Sequence, residues 1–269
     1  MSEAALSGDD MRTASASLDM GRATHVGKVR RENEDSLLAL AERGLFAVAD
    51  GMGGHIGGKM ASNLLVEQLA RVPAPVSLQD FVKHCGLLAN DANARLLHHS
   101  AQNHGEVSGT TLALLLAFGE RFACLWAGDS RIYLVRDRQI AQITRDHNEA
   151  QELVAQGVIT RDEAKRWPRR NVITRAIGVY EDPELEVEQG DLRPGDTFVL
   201  CSDGLTNHVE DEEIREYALN ASPQQACDAL VELTLQRGAT DNVTVVIAHR
   251  RRNGSTVVLP EGMPRPVWS

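Results

Sequence analysis

Residues Thr110–Val135 read TTLALLLAFGERFACLWAGDSRIYLV. Three short apolar runs, Thr110–Ala117, Phe122–Ala127 and Ile132–Val135, follow one another closely, in the pattern of a meander of antiparallel strands. Runs of the same kind occur at Leu45–Ala49, Thr197–Cys201 and Val243–Ala248. Most are apolar on consecutive positions, so both faces are expected to be covered. Helical periodicity marks Met60–Arg71, Leu78–His99 and Pro223–Arg237, where Ser222 supplies a cap and Pro223 the first helical position. Strands and helices do not alternate regularly. The expected fold class is α+β: a central antiparallel β-sandwich of two sheets flanked by helices, in preference to a doubly wound parallel sheet.

The chain has 269 residues, 42% hydrophobic and 25% charged, an ordinary globular composition with enough apolar material for a sizeable core. A net charge of -10 argues against a broad nucleic-acid surface and favours cations, metal ions included. Cys85, Cys124, Cys201 and Cys227 are far apart and form no CxxC, which speaks against zinc ribbons and thioredoxin-like chemistry. Cys124 and Cys201 sit in apolar runs and read as buried thiols of a reducing cytoplasm. No apolar stretch approaches the ~20 residues of a membrane span, and no signal peptide is apparent. Residues 1–19 are expected to be a disordered arm, residues 20–250 one domain, and residues 251–269 a tail. Asp146–Gly178 stands apart, with two short helical patterns broken near Gly157 and Pro168 and a capping-box pairing of Thr160 with Glu163. It reads equally as a lid or as a helical decoration.

Acidic residues gather where strands end. Asp50 follows Leu45–Ala49, Asp129 follows Phe122–Ala127, Asp203 follows Thr197–Cys201, and Asp241 precedes Val243–Ala248. Glu34 and Asp35 precede another apolar stretch. Singly, an Asp beside a Gly is a turn residue. Together they suggest carboxylates at one edge of a sandwich, which repel unless cations neutralise them. Hard oxygen ligands select Mg²⁺ or Mn²⁺ over zinc. The glycine string FAVADGMGGHIGG, Phe46–Gly58, is tested against nucleotide loops and fits poorly. It lacks the third glycine of GxGxxG, and Met60 replaces the hydroxyl that GxxxxGK requires next. Asp50 as an ion ligand, with the Gly51 carbonyl beside it, is the reading that survives.

The motifs VRRENEDS, VADGMGGHIGG, SGTT, WAGDSRIYLVRD, TRDH, NVITRAIG, LCSDGLTN and TDNVTVVI occur in the order found in bacterial metal-dependent serine/threonine protein phosphatases of type 2C (the PPM family). The resemblance spans about Met20 to Arg250. It implies two packed antiparallel sheets with helices outside and a dinuclear metal centre holding Mn²⁺ or Mg²⁺, with a third ion in bacterial members. Asp50 resembles the aspartate bridging two ions, Gly51 the carbonyl ligand, and Asp203 and Asp241 the remaining direct ligands. Glu34 and Asp35 correspond to residues that hold metal-bound waters, and Asp129 to the residue that shares a third ion with Asp203. Arg30 matches the arginine that clamps the substrate phosphate. The segment 148–170 corresponds to the flap beside the active site. Animal members carry a histidine where this chain has Met52, which leaves His55 as the nearest candidate acid for the leaving group. Asn148 and Trp167 stand where relatives often have Ser and His.

The implied function is hydrolysis of phosphoserine and phosphothreonine by direct attack of a metal-activated hydroxide. The implied enzyme is a monomeric cytoplasmic phosphatase without nucleic-acid partners, opposing a bacterial serine/threonine kinase and acting on its phosphorylated substrates. The alternative is a pseudo-phosphatase of the same fold used for binding or sensing. A nuclease is disfavoured by the acidic net charge.

Overall fold

The computed structural model describes residues 17–252, apart from the side chains of residues 54–56. The chain opens with strands β1 (Leu18–His25), β2 (Asp35–Leu40) and β3 (Leu45–Met52), followed by helices α1 (Gly54–Leu69) and α2 (Leu78–Gln102). Strands β4 (Gly109–Thr110), β5 (Leu112–Phe118), β6 (Arg121–Ala127), β7 (Arg131–Arg136) and β8 (Gln139–Gln142) come next. Short helices α3 (Glu149–Ala155) and α4 (Arg161–Ala164) lead to strands β9 (Glu186–Asp191) and β10 (Thr197–Cys201). Helices α5 (Asp203–Thr206), α6 (Asp211–Asn220) and α7 (Pro223–Gln236) precede the last strand, β11 (Val243–Arg250).

The strands form two antiparallel sheets. The first runs β1-β11-β10-β7-β8; the second runs β2-β3-β5-β6-β9, with β4 paired to β3. The expected sandwich is therefore present, and the consecutive apolar positions have a direct cause. In β3, Phe46 and Val48 face the other sheet, whereas Leu45, Ala47 and Ala49 pack under α1 and α2. In β11, Val246 and Ala248 face inward between the sheets while Val243, Val245 and Ile247 pack under α6 and α7. Every central strand thus has one face against a sheet and one against helices, so alternation with polar residues disappears. Phe122 of β6 and Phe198 of β10 join the two sheets edge to face, with ring centroids 4.9 Å apart. Cys124 and Cys201 are buried free thiols, as expected.

Local signals place the helices. The side chain of Ser222 accepts from the Gln225 amide, and Pro223 occupies the first turn of α7. Ser77 caps α2 by accepting from Asp80. Boundaries differ from expectation at several places; α1, expected over Met60–Arg71, already starts at Gly54 in the glycine string. β1 starts at Leu18, paired with Arg250, so residues 18 and 19 belong to a sheet instead of the arm; residues 1–16 and 253–269 lie outside the described residues. Asp50 and Gly51 lie inside β3, because the backbone ladder continues past the last apolar residue: Asp50 pairs with Asp35 and Gly51 with Thr110.

Candidate active site

The sheet ends bring acidic residues of both sheets to one edge of the sandwich. Asp35 opens β2 directly opposite Asp50 of β3. Such a like-charge pair is unfavourable by itself, and the surrounding bonds hold it. The Asp50 amide donates to Thr111 Oγ1 at 2.9 Å, and its carbonyl accepts from the Thr111 amide at 2.9 Å and the Thr110 hydroxyl at 3.0 Å. Thr111 Oγ1 shares a 2.7 Å bond with Ser130 Oγ, next to Asp129 in the β6–β7 turn. Across the sandwich, Ser202 Oγ donates to Asp35 Oδ2 at 2.8 Å and accepts from the Thr244 amide at 3.0 Å. One hydroxyl thereby ties the first sheet to the second beside Asp203, the first residue of α5. Asp203 Oδ2 accepts from Asn207 Nδ2 at 3.1 Å.

Asp241 sits two residues before β11. Its Oδ1 accepts from the Asn242 amide at 2.8 Å, and its Oδ2 pairs with Arg30 Nη2 at 2.7 Å. Asn242 is buried and holds the loop that carries Arg30 and Glu34: Nδ2 donates to the carbonyls of Val26 (2.9 Å) and Glu32 (3.0 Å), and Oδ1 accepts from the Glu34 amide (2.8 Å). At Gly51 the backbone closes on α1, where an added Cβ would lie 2.2 Å from the Gly58 carbonyl oxygen. Only glycine permits that approach.

The electrostatics follow from burial among like charges. Burial raises the Asp35 carboxyl to about 7, with Asp203 and Asp241 adding to the rise and bonds from Thr244 and Ser202 opposing it. Asp50 is pushed well above the usual carboxylate range by burial and then by Asp35, Asp203, Asp129 and Asp241. Burial and then Asp203 raise Asp129, and burial and then Asp241 raise Asp203. Asp35 Oδ1 is buried without a hydrogen-bond partner. Among the described residues, no group of three or more His, Cys, Asp or Glu side chains closes into a ligand set. The carboxylates sense one another without converging on a point. The side chain of His55 lies outside the described residues, although its backbone belongs to the first turn of α1.

The flap segment is rooted at the same edge. The His147 amide donates to the Gly128 carbonyl at 2.9 Å, and the Thr174 amide to the His147 carbonyl at 2.9 Å. The His147 ring stacks on Trp126 with centroids 6.1 Å apart. Asn148 and Trp167, the two departures noted in the sequence, both hold the flap together. Asn148 caps α3 by accepting from the Gln151 amide at 3.0 Å, and Trp167 Nε1 donates to Glu149 Oε1 at 3.0 Å.

Sequence reasoning named the acidic residues but not Ser202, Thr111, Ser130 or Asn242, which position them. Each lies inside a quoted motif, yet only folding reveals its partner. Ser202 and Asp35 are 167 positions apart.

The fold is thus a sandwich of two antiparallel sheets with carboxylates from both at one end. Residues 25–241 match the family described as protein phosphatase 2C, and the chain belongs to that family. The serine/threonine protein phosphatase PstP of Mycobacterium tuberculosis is 39% identical over 224 residues, which is 82% of this chain and 43% of that protein. The chain therefore spans less than half the length of that curated relative. PppA, a key regulatory component of T6SS in Pseudomonas aeruginosa, is similar at a TM-score of 0.82 and 40% identity, over 88% of this chain and 99% of that one. The catalytic domain of PstP in complex with two manganese ions is similar at a TM-score of 0.79 and 36% identity, over 87% and 99% of the respective chains.

Proposed function

We propose that this chain is a protein phosphatase that hydrolyses phosphoserine and phosphothreonine with divalent metal ions, and that it reverses the action of a serine/threonine kinase. The observation that carries the reading is the meeting of Asp35 and Asp50 from one sheet with Asp203 and Asp241 from the other, beside the Arg30 guanidinium. The names of the relatives support the same activity, and the two manganese ions of the PstP catalytic domain support the same cofactor.

The residues fit such ions. They supply hard oxygen donors, one of them an orphaned buried oxygen on Asp35, and their charges repel until a cation offsets them. Asp50, the Gly51 carbonyl, Asp203 and Asp241 would hold a pair of Mn²⁺ or Mg²⁺ ions. Glu34 and Asp35 would act through water, and Asp129 would share a third ion with Asp203. When bound, the ions supply Lewis acidity, which makes water a nucleophile near neutral pH and offsets charge on the phosphoryl oxygens.

The protein groups have separate tasks. Ser202 holds Asp35 Oδ2, so the free Oδ1 is the atom left to act. Thr111 fixes the Asp50 backbone. Arg30 presents a half-exposed planar fork that suits two phosphate oxygens, and its present partner, Asp241, is the group a substrate phosphate would replace. His55 is the proposed donor of a proton to the departing serine or threonine oxygen.

The test is direct. Chelation with EDTA is expected to abolish hydrolysis of p-nitrophenyl phosphate and of a phosphothreonine peptide, and Mn²⁺ to restore both. Asp203→Asn is expected to lower turnover at least a hundredfold with an unchanged circular dichroism spectrum, on the scale of losing about 3 kcal/mol of transition-state stabilisation. Turnover that survives thorough chelation would overturn the reading.

A further inference from the structure

The flap carries charge of the opposite sign to the molecule. Against a net charge of -10, residues 161–175 hold Arg161, Lys165, Arg166, Arg169, Arg170 and Arg175 with only Asp162 and Glu163. Some of these are already compensated. Arg169 pairs with Glu149 at 3.0 Å, Arg175 pairs with Glu184 and Glu186, and Glu163 is engaged in the Thr160 capping box. Lys165, Arg166 and Arg170 are exposed and have no carboxylate partner among the described residues. The platform beneath them is built. Trp167 is held by Glu149, and turn bonds from Trp167 N to Ala164 O (3.1 Å) and from Arg170 N to Trp167 O (3.2 Å) order the backbone that carries the basic residues. A cleft of about 310 Å³ opens here, lined by Ile159, Asp162, Glu163, Arg166 and Trp167.

We infer that this patch docks an acidic stretch of the phosphoprotein, beside the residue whose phosphate enters the site. The inference rests on the phosphatase reading above and adds a substrate class to it. The segment that carries the patch begins beside His147, whose amide donates to the Gly128 carbonyl next to Asp129, so its root is fixed at the carboxylate edge of the sandwich. The net negative field of the molecule otherwise disfavours acidic substrates, and the patch is the local exception. A peptide with a few Glu or Asp residues engages only the patch. A nucleic acid, charged along its whole length, meets the acidic remainder of the surface as well.

The experiment compares phosphothreonine peptides of one core sequence with Glu, Gln or Lys flanks. It uses the wild-type chain and a triple variant, Lys165→Gln with Arg166→Gln and Arg170→Gln, with Mn²⁺ present. The wild type is expected to favour the Glu peptide over the Gln peptide roughly tenfold in kcat/KM, mainly through KM, as two or three exposed charge pairs would give. That preference should shrink at high salt and vanish in the variant, while p-nitrophenyl phosphate turnover stays the same. Equal kcat/KM for the Glu and Gln peptides in the wild type overturns the inference, as does an undiminished preference in the variant. Tight binding of an RNA oligonucleotide that the variant loses would assign the patch to a polyanion and overturn it too. Absence of p-nitrophenyl phosphate turnover in the wild type would count against the phosphatase reading alone. Docking would then be read by fluorescence anisotropy of the labelled Glu peptide in EDTA, where equal affinity of wild type and variant overturns it.

Discussion

Asn242 shows how much of the site depends on residues that bear no charge. Its amide holds three backbone groups of the loop that carries Arg30 and Glu34, while its own N–H steadies Asp241. At about 1 kcal/mol per bond, Asn242→Ala is expected to lower stability by about 3 kcal/mol, and more if the abandoned groups stay dry. A thermal melt checks the loss, and hydrogen exchange should locate it in residues 26–34; an unchanged melting temperature would contradict the role. The charged members of the site were legible in the sequence because an Asp at the end of an apolar run is a recurrent, readable signal at Asp50, Asp129, Asp203 and Asp241. Asn242 was not, because its partners lie more than 200 positions away and nothing in TDNVT distinguishes an anchor from a turn residue. Arg30 was legible only through resemblance, and its pairing with Asp241 was not legible at all.

Elements were legible in proportion to their burial. The six apolar runs became β3, β5, β6, β7, β10 and β11, whose shared burial on two faces leaves little else for such sequences to do. Strand β9, Glu186-Val-Glu-Gln-Gly-Asp191, was missed because it is an acidic, largely exposed edge whose only strand-like feature is its pairing with β6. Helix α6 went unread for the same reason, since Ile214 is its one fully buried residue. The capping box of α4 was legible because capping is local: Thr160 and Glu163 satisfy one another within one turn. Thr160→Ala is expected to remove about 1 kcal/mol from that short helix alone. The measurable result is roughly fivefold faster amide exchange around residues 161–164 with no change in global melting temperature. A cooperative fall in melting temperature would mean that the flap is integral to the core.

At the scale of the whole molecule, two sheets and their outer helices make four layers, and the pH response of that stack has a definable sign. His249 lies on β11 with its ring against Thr197 Oγ1 at 2.9 Å, and burial holds its imidazole below the ordinary value of 6.5. The unfolded chain therefore takes up the proton first as pH falls. Stability from His249 is complete above about 6.5 and is lost as pH drops through that value toward the folded-state pKa. Comparing wild type with His249→Asn isolates this contribution. The wild-type melting temperature should fall relative to the variant between pH 7.5 and 5.5, and a constant difference would remove His249 from the account. No helix among the described residues is long and apolar enough to cross a membrane. One further consequence follows from Ser202, which reaches from the first sheet to grip Asp35 on the second. Alignment of the candidate site is thereby tied to the registration of two slabs whose facing surfaces are mostly apolar, with polar ties such as Arg136 Nη2 to the Asp191 carbonyl at their rim. A slip between them too small to break any ladder would already disturb the proposed activity, so a fall in turnover would be an early alarm for loosening of the whole stack.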